Sequence, residues 1–283
     1  MARGLNVGVA VLGLSLCVPF VASGRVLYEG FGYQAGAPLA GQNGGAGPWV
    51  TPWMSSPPFV SPTIDVPGLS YSHNAELLTT PGAARSDAAA FGLSMNRLFT
   101  PDHGTNGTSL WISFLAQIDT PTSGNAYVLL AFPGGPPNVP GIAISITRFG
   151  FNDTFLRAAL APYAGGGSGG VAATTPIAFG ETALLVARID YRAGPDLVSL
   201  WLNPGLDVLP GTADITLNTL DLNVAPPSQL LRFEQGNNRA SFIDEIRLGG
   251  TFEEVTPLVP GPSAISVVLI GGMWAARRRR VAR

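Results

Sequence analysis

From Trp111 onward the chain alternates apolar and polar positions with a period of two. In "WISFLAQID", Ile112, Phe114, Ala116 and Ile118 make one face, and Trp111, Ser113, Leu115 and Gln117 the other. Such alternation belongs to a strand, whose successive side chains point to opposite sides of a sheet. The same reading predicts strands in "AYVLLAF" (126–132), "GIAISITRF" (141–149), "FLRAALA" (155–161) and "ALLVARIDY" (183–191). Three more follow in "LVSLWLN" (197–203), "LLRFEQ" (230–235) and "ASFIDEIRLG" (240–249). Clusters such as "PGGPPNVPG", "YAGGGSGG" and "EQGNNR" separate the runs, and "RAGPD" (192–196) joins two of them as an antiparallel hairpin. No helical pattern intervenes. The predicted fold is all-β, an antiparallel β-sandwich in one domain spanning residues 25–256. The stretch from Arg25 to Phe99 reads differently: "GQNGGAGPW" and "SSPPFVSP" predict a loop-rich segment that wraps the sandwich with a few edge strands.

Both ends depart from the alternation. Residues 1–24 place Arg3 before an apolar run and close with Ala22-Ser23-Gly24. A basic start, an apolar centre and small residues at the end form a secretory signal, with cleavage expected after Gly24. Cys17, the only cysteine, lies inside that signal behind Leu16, where a lipoprotein signal needs Gly or Ala. The exported body therefore has no disulfide and relies on its own core. At the other end, Ala264 to Ala276 is a run of 13 uncharged residues stopped by Arg277, Arg278, Arg279 and Arg280. As a helix it would reach roughly 20 Å, against a hydrocarbon core of roughly 30 Å. It has no polar face for lying flat on a surface, and the arginines would stay cytoplasmic, leaving the body outside.

The tail (257–283) resembles the PEP-CTERM sorting signal of bacterial exosortase substrates, on Val259, Pro260 and Pro262, the short apolar helix 264–276 and the Arg cluster 277–280. Gly261 stands where that family usually has Glu. The resemblance implies a transient transmembrane helix, cleavage near the Pro element by an exosortase-like membrane protease, and release or re-anchoring at the cell surface. Signal peptidase and that protease are the implied partners. The body carries a second resemblance. "EGFGYQAGAPLAGQNGGAGPW", "VARIDYRAGPDLVSLWLNP" and "FIDEIRLG", in that order, resemble exported bacterial proteins with a concanavalin A-like or laminin-G-like jelly roll. This implies the fold and carbohydrate recognition, with an envelope or matrix glycan as partner.

Charge sharpens the picture. All 16 basic residues are Arg, and six of them lie in the two terminal segments. The ten that remain face 18 acidic residues, so the body carries about −8 by count. Such a body repels phosphate backbones, which excludes nucleic acid.

The chemistry-bearing residues point away from catalysis. Retaining glycosidases need two carboxylates on one side, about 5–5.5 Å apart. Asp244 and Glu245 in "FIDEIR" are strand neighbours, which alternation sends to opposite faces, and Glu253 and Glu254 are likewise adjacent. His73 and His103 lie in turn-like surroundings without a nucleophile elbow, a phosphate loop or a zinc motif. Asp102, Asn106 and Thr108 have calcium-like spacing but lack the second carboxylate and terminal Glu of an EF-hand, so the sequence predicts no cofactor, with calcium on scattered loop oxygens as the open alternative to a plain turn. A binding face is the remaining candidate. Alternation puts Trp111 with Ser113 and Gln117, and Trp201 with Ser199 and Asn203, while Arg157, Arg188 and Arg232 fall opposite apolar positions or on mixed faces. Were these one sheet's outer face, Trp111, Trp201 and Asn203 would suit a sugar, whose rings have apolar faces and polar rims. The competing reading covers both indoles with the loops of 25–99. The sequence thus predicts an exported, non-enzymatic surface or matrix protein, with a lectin-like module as the alternative and a hydrolase a distant third.

Overall fold

The computed structural model describes residues 26–55, 61–86, 93–100, 104–119, 126–133, 141–150, 153–163, 170–222, 229–236 and 240–260. Before Thr100 come β1 (Leu27–Glu29), β2 (Met54–Ser55), β3 (Thr63–Asp65), β4 (Ser72–His73), β5 (Ala75–Glu76), β6 (Ala83–Ser86) and β7 (Leu93–Phe99). The alternating runs become β8 (Ser109–Ile118), β9 (Tyr127–Phe132), β10 (Gly141–Thr147) and β11 (Arg157–Tyr163). The short β12 (Val171–Ala172) precedes β13 (Ala183–Asp190) and β14 (Asp196–Leu202). Last come β15 (Ile215–Leu220), β16 (Gln229–Gly236), β17 (Ser241–Gly249) and the single helical turn α1 (Phe252–Val255).

Two antiparallel sheets form a sandwich. The first runs β15-β14-β13-β8-β17-β6-β3, with β1 also pairing on β17, and the second runs β12-β11-β10-β9-β16-β7-β2. The "RAGPD" hairpin is present, with Leu185 opposite Leu202 and Asp190 opposite Leu197. β6 and β1 share one edge of β17: β6 takes Ser241–Ile243 and β1 takes Ile246–Leu248. The core faces are those read from the alternation. Ile112, Phe114, Ala116, Ile118, Val198 and Leu200 meet Val128, Leu130, Ile142, Ile144, Leu160 and Phe233 of the second sheet in one buried cluster. Burying each such aliphatic or aromatic side chain stabilises the fold by about 1.5–3 kcal/mol.

The segment before Thr100 corrects the expectation in part. β2 and β3 are edge strands as predicted, but β6 and β7 each lie one strand inward. β7 escapes the period-two reading because Arg97 occupies an inward position between Met95 and Phe99. Its guanidinium meets Glu29 of β1 inside the sandwich, with Nη1 donating to Oε2 at 2.6 Å and both side chains 1% exposed. Arg97 Nε donates to the Thr51 carbonyl (2.9 Å), and Nη2 to Asn43 Oδ1 (3.0 Å) and the Gly44 carbonyl (2.9 Å). Glu29 also accepts from Phe31 N, the Tyr33 hydroxyl and Trp53 Nε1. Trp49 lies 4.2 Å from the guanidinium carbon.

Among the described residues no helix is long and apolar enough to cross a membrane. The signal peptide, with Ala22 and Gly24, and the tail from Gly261 to Arg283, with Pro262, the apolar run and the Arg cluster, lie outside the described residues.

Removing one member of a buried pair leaves an uncompensated charge and costs about 3–5 kcal/mol. Glu29→Ala is therefore expected to lower the unfolding free energy in urea by about that much, whereas Glu29→Met with Arg97→Met recovers a large part. A single variant within about 1 kcal/mol of the parent, one-third of the smallest loss expected, would refute the assignment.

Candidate functional site

The outer face of the first sheet carries both predicted tryptophans, and of the two readings weighed for them, open face or loop-covered core, the residues around them show cover. Trp111 and Trp201 do share a side: their rings stack at 5.4 Å and 17° across β13, with Arg188 5.6 Å over Trp111. They are only 6% and 8% exposed. Leu69, Leu77, Leu206, Phe252 and Val255 close over them, and Trp201 Nε1 donates to the Gly211 carbonyl at 3.0 Å. Ser113 donates to the Val255 carbonyl, which seats α1 on the sheet. Asn203, at φ +51°, spends its side chain on Leu184 N (2.8 Å), and its carbonyl contacts His73 Nδ1 at 3.0 Å. The two candidate tryptophans are thus brought together in a covered second core, while the half-buried Asn203 is held outside it by Leu184 and His73. Arg157 and Arg232 lie on the other sheet, so the expected single face is divided.

The rejected carboxylate pair is also rearranged. A register shift between Asp244 and Arg247 marks a β-bulge in β17, with Glu245 at φ +54°. A bulge sets two residues against one and overrides the alternation that separates neighbours. Asp244 Oδ2 accepts from Leu69 N at 2.8 Å, and Glu245 Oε1 from Thr80 N at 2.5 Å and the Tyr28 hydroxyl at 3.2 Å. Arg247 donates to Glu245 and to the Leu78 carbonyl. Both carboxylates therefore face the 66–82 segment, and both are 0% exposed. Gly68 is required there, since an added Cβ would lie 2.7 Å from Asp244 Oδ2. Burial, reinforced by Glu245, holds the Asp244 carboxyl well above the usual carboxylate range. The pair clamps a loop and offers no access to substrate.

The outer face of the second sheet is built differently. Ala161, Ala143 and Ala131 follow one another across β11, β10 and β9, and the row continues into Arg232 and Asn96. Over this small-residue floor lies Tyr163, packed on Ala131 and Ala143. Tyr163 starts three strands from β16, about 14 Å at the usual strand spacing. Its hydroxyl nevertheless donates to Glu234 Oε1 at 2.6 Å and accepts from Arg232 Nη1 at 2.8 Å. Arg232 Nε donates to Asn96 Oδ1 at 2.6 Å, and the Arg232–Glu234 ion pair spans 3.6 Å. Burial, with Glu234 adding and Arg232 opposing, pushes the Tyr163 hydroxyl up to about 12, so it stays a neutral donor near pH 7. Ser94, opposite Glu234 in the register, has a buried Oγ with no hydrogen-bond partner among the described residues. The ring and its alanine floor are themselves buried, with Tyr163 8% exposed, so the groups that reach the surface here are the partly exposed Arg232 and Glu234 side chains. Glu234 is the single carboxylate in the described strands of this sheet.

Arg232 was legible as an outward residue; Tyr163 and Glu234 were not singled out. The alternation of "LLRFEQ" does put Arg232 and Glu234 on one side, whereas nothing local to Tyr163 signals a partner 71 residues away. His103 and Asp102 lie outside the described residues, and Asn106 and Thr108 belong to a turn closed by Thr108 N on the Thr105 carbonyl. Among the described residues no group of three potential metal ligands occurs.

No protein-family model and no curated protein matches the chain. Solved structures similar to it include an endo-1,3-beta-glucanase from Streptomyces sioyaensis, at 11% identity and TM-score 0.48, covering 82% of this chain and 97% of that one. Another is the basic winged bean lectin with Tn-antigen, at 14% identity and TM-score 0.42, covering 80% and 98%. A third is a carbohydrate-binding module from Bacillus subtilis, at 10% identity and TM-score 0.37, covering 70% and 94%. At such values the likeness assigns no activity, and the fold rests on the two sheets themselves.

The raised Asp244 carboxyl has a testable sign. A carboxyl raised in the folded state contributes stability that is complete below its unfolded value, about pH 4, and is lost as pH rises through the folded value. Stability of Asp244→Asn relative to the parent should therefore improve steadily from pH 4 upward, read as urea midpoints at each pH. A parent–variant difference that is constant across the range would show that Asp244 is not the source.

Proposed function

We propose that the chain is an exported, non-catalytic β-sandwich protein of concanavalin A-like type that binds a glycan on the outer face of its second sheet. Delivery to the cell surface or extracellular matrix runs through the N-terminal signal and the PEP-CTERM-like tail. The observation that carries the binding role is the Tyr163–Arg232–Glu234–Asn96 cluster over an alanine floor. The half-buried Arg232 and Glu234 side chains, with the Asn96 amide beside them, suit sugar hydroxyls, while the buried Tyr163 and alanines support them from below. The non-catalytic reading is supported by the inaccessibility of Asp244 and Glu245 and by Glu234 standing as the single carboxylate in the described strands of that sheet. The sorting reading is supported by the N-terminal signal, on which signal peptidase would act, and by the order of Pro element, apolar run and Arg cluster in the tail, on which an exosortase-like protease would act.

The binding role is tested on an array of bacterial envelope and matrix glycans. Arg232→Ala and Tyr163→Phe are each expected to weaken retention of any bound glycan at least about tenfold, which corresponds to 1.4 kcal/mol. Their thermal midpoints are measured alongside to separate binding from folding. Retention unchanged in both variants, or no glycan bound by the parent, would overturn this role. Sorting is tested by intact mass in the native host. The expected species runs from Arg25 to about Pro260 and is recovered outside the membrane. A mass that keeps Arg277 to Arg283, found in membranes alone, would make the tail a plain anchor.

A further inference from the structure

Residues 257–259 form a short ribbon with 76–78 at the root of the tail. Leu258 bridges Leu77, Leu78 N donates to the Pro257 carbonyl at 2.8 Å, and Val259 N donates to the Glu76 carbonyl at 2.9 Å. Leu77 is buried, but Leu78, Leu258 and Val259 are 47%, 40% and 41% exposed. Alternation puts Leu258 on the side of the buried Leu77 and sets Leu78 and Val259 together on the other side, beside Glu76, so Leu78 and Val259 are the apolar pair which that side leaves exposed.

The direction of the chain names the occupant. Pro260 to Ser263 alone separate Val259 from the apolar run that begins at Ala264. Five residue steps of about 3.4 Å tether the ribbon within about 17 Å of that run. A span of roughly 20 Å in a hydrocarbon core of roughly 30 Å must draw its flanks inward or thin the bilayer. Leu258 and Val259 are hydrogen-bonded or bridged to the body, so they do not lengthen the span. The body itself moves toward the bilayer instead. We propose that Leu78 and Val259 are a membrane-contact surface that seats the body on the phospholipid interface while the tail is uncut. This rests on the sorting-tail reading above. The contact is apolar in character: Glu76 flanks the ribbon, and the acidic body gains nothing from anionic headgroups.

The chain from Arg25 to Arg283 has no cysteine. Leu78→Cys, and Val171→Cys on the edge strand β12 of the other sheet, can therefore each carry one environment-sensitive fluorophore. The probe membrane is a phosphatidylcholine vesicle containing a lipid-borne quencher. The expected result is co-sedimentation with the vesicles, with a blue shift and quenching at position 78 and neither at position 171. Adding Val259→Asp should abolish the shift at 78 while co-sedimentation persists. Co-sedimentation with an unchanged signal at 78, or equal shifts at both positions, overturns the membrane-contact surface and leaves the tail reading standing. Failure of the chain to associate with vesicles overturns the tail reading and the contact surface together.

Discussion

The Glu29–Arg97 ion pair is the constraint around which the N-terminal third is arranged. It joins β1 of the first sheet to β7 of the second inside the sandwich. Two charges withdrawn from water need every donor and lone pair satisfied, because the effective desolvation penalty is several kcal/mol per ion. The Gly-rich stretch from Gly41 to Trp53 supplies what the pair lacks: the carbonyls of Gly44 and Thr51, the Asn43 amide and the Trp53 indole. Its backbone follows from that duty. Gly45, at φ +82°, sits where an added Cβ would lie 2.4 Å from the Tyr28 carbonyl, so a larger residue would push the loop off the strand it must reach. What looks like irregular wrapping in the sequence is the coordination shell of a buried arginine.

Legibility followed the physics of single strands. From Ser109 to Gly249 most strands could be placed, and their core sides named, because each has one buried face and a period of two reports it. β7 was lost because its inward row includes Arg97, whose partner Glu29 lies 68 residues away. The sides of Trp111 and Trp201 were read correctly, and their exposure was not settled. Their cover comes from irregular segments around Leu69, Leu77 and Leu206 and from α1, which alternation cannot detect. One part of that cover was readable and passed over: Thr251 and Glu254 have the spacing of a capping box, and the structure forms it on α1. The adjacency of Glu253 and Glu254 drew the attention instead.

Asp244 and Glu245 show where a sound rule stops. Neighbours face apart only while the ladder is regular, and β17 changes register at that point, where one edge passes from β6 to β1. The bulge turns a short stretch of strand into a clamp on the 66–82 segment. That clamp matters beyond itself, since Leu69 and Leu77 of the same segment roof the stacked indoles. The two carboxylates, the tryptophans and α1 therefore act as one layer that closes the outer face of the first sheet.

That closure gives the sandwich a polarity. The cover layer leads through α1 directly into the ribbon of Pro257 to Val259, which pairs beside the buried Leu77. The ribbon thus belongs to the first sheet's side. The second sheet packs against the opposite face of the core, about 10 Å away, and its outer row of alanines ends in the Tyr163–Arg232–Glu234 cluster. In the proposed seating through the ribbon this cluster faces away from the bilayer, toward the side on which the proposed glycan would be met. A body released by cleavage beyond Val259 keeps the same face. The two proposed activities, delivery and glycan binding, thus occupy opposite sides of one core, and neither has to be undone for the other to proceed.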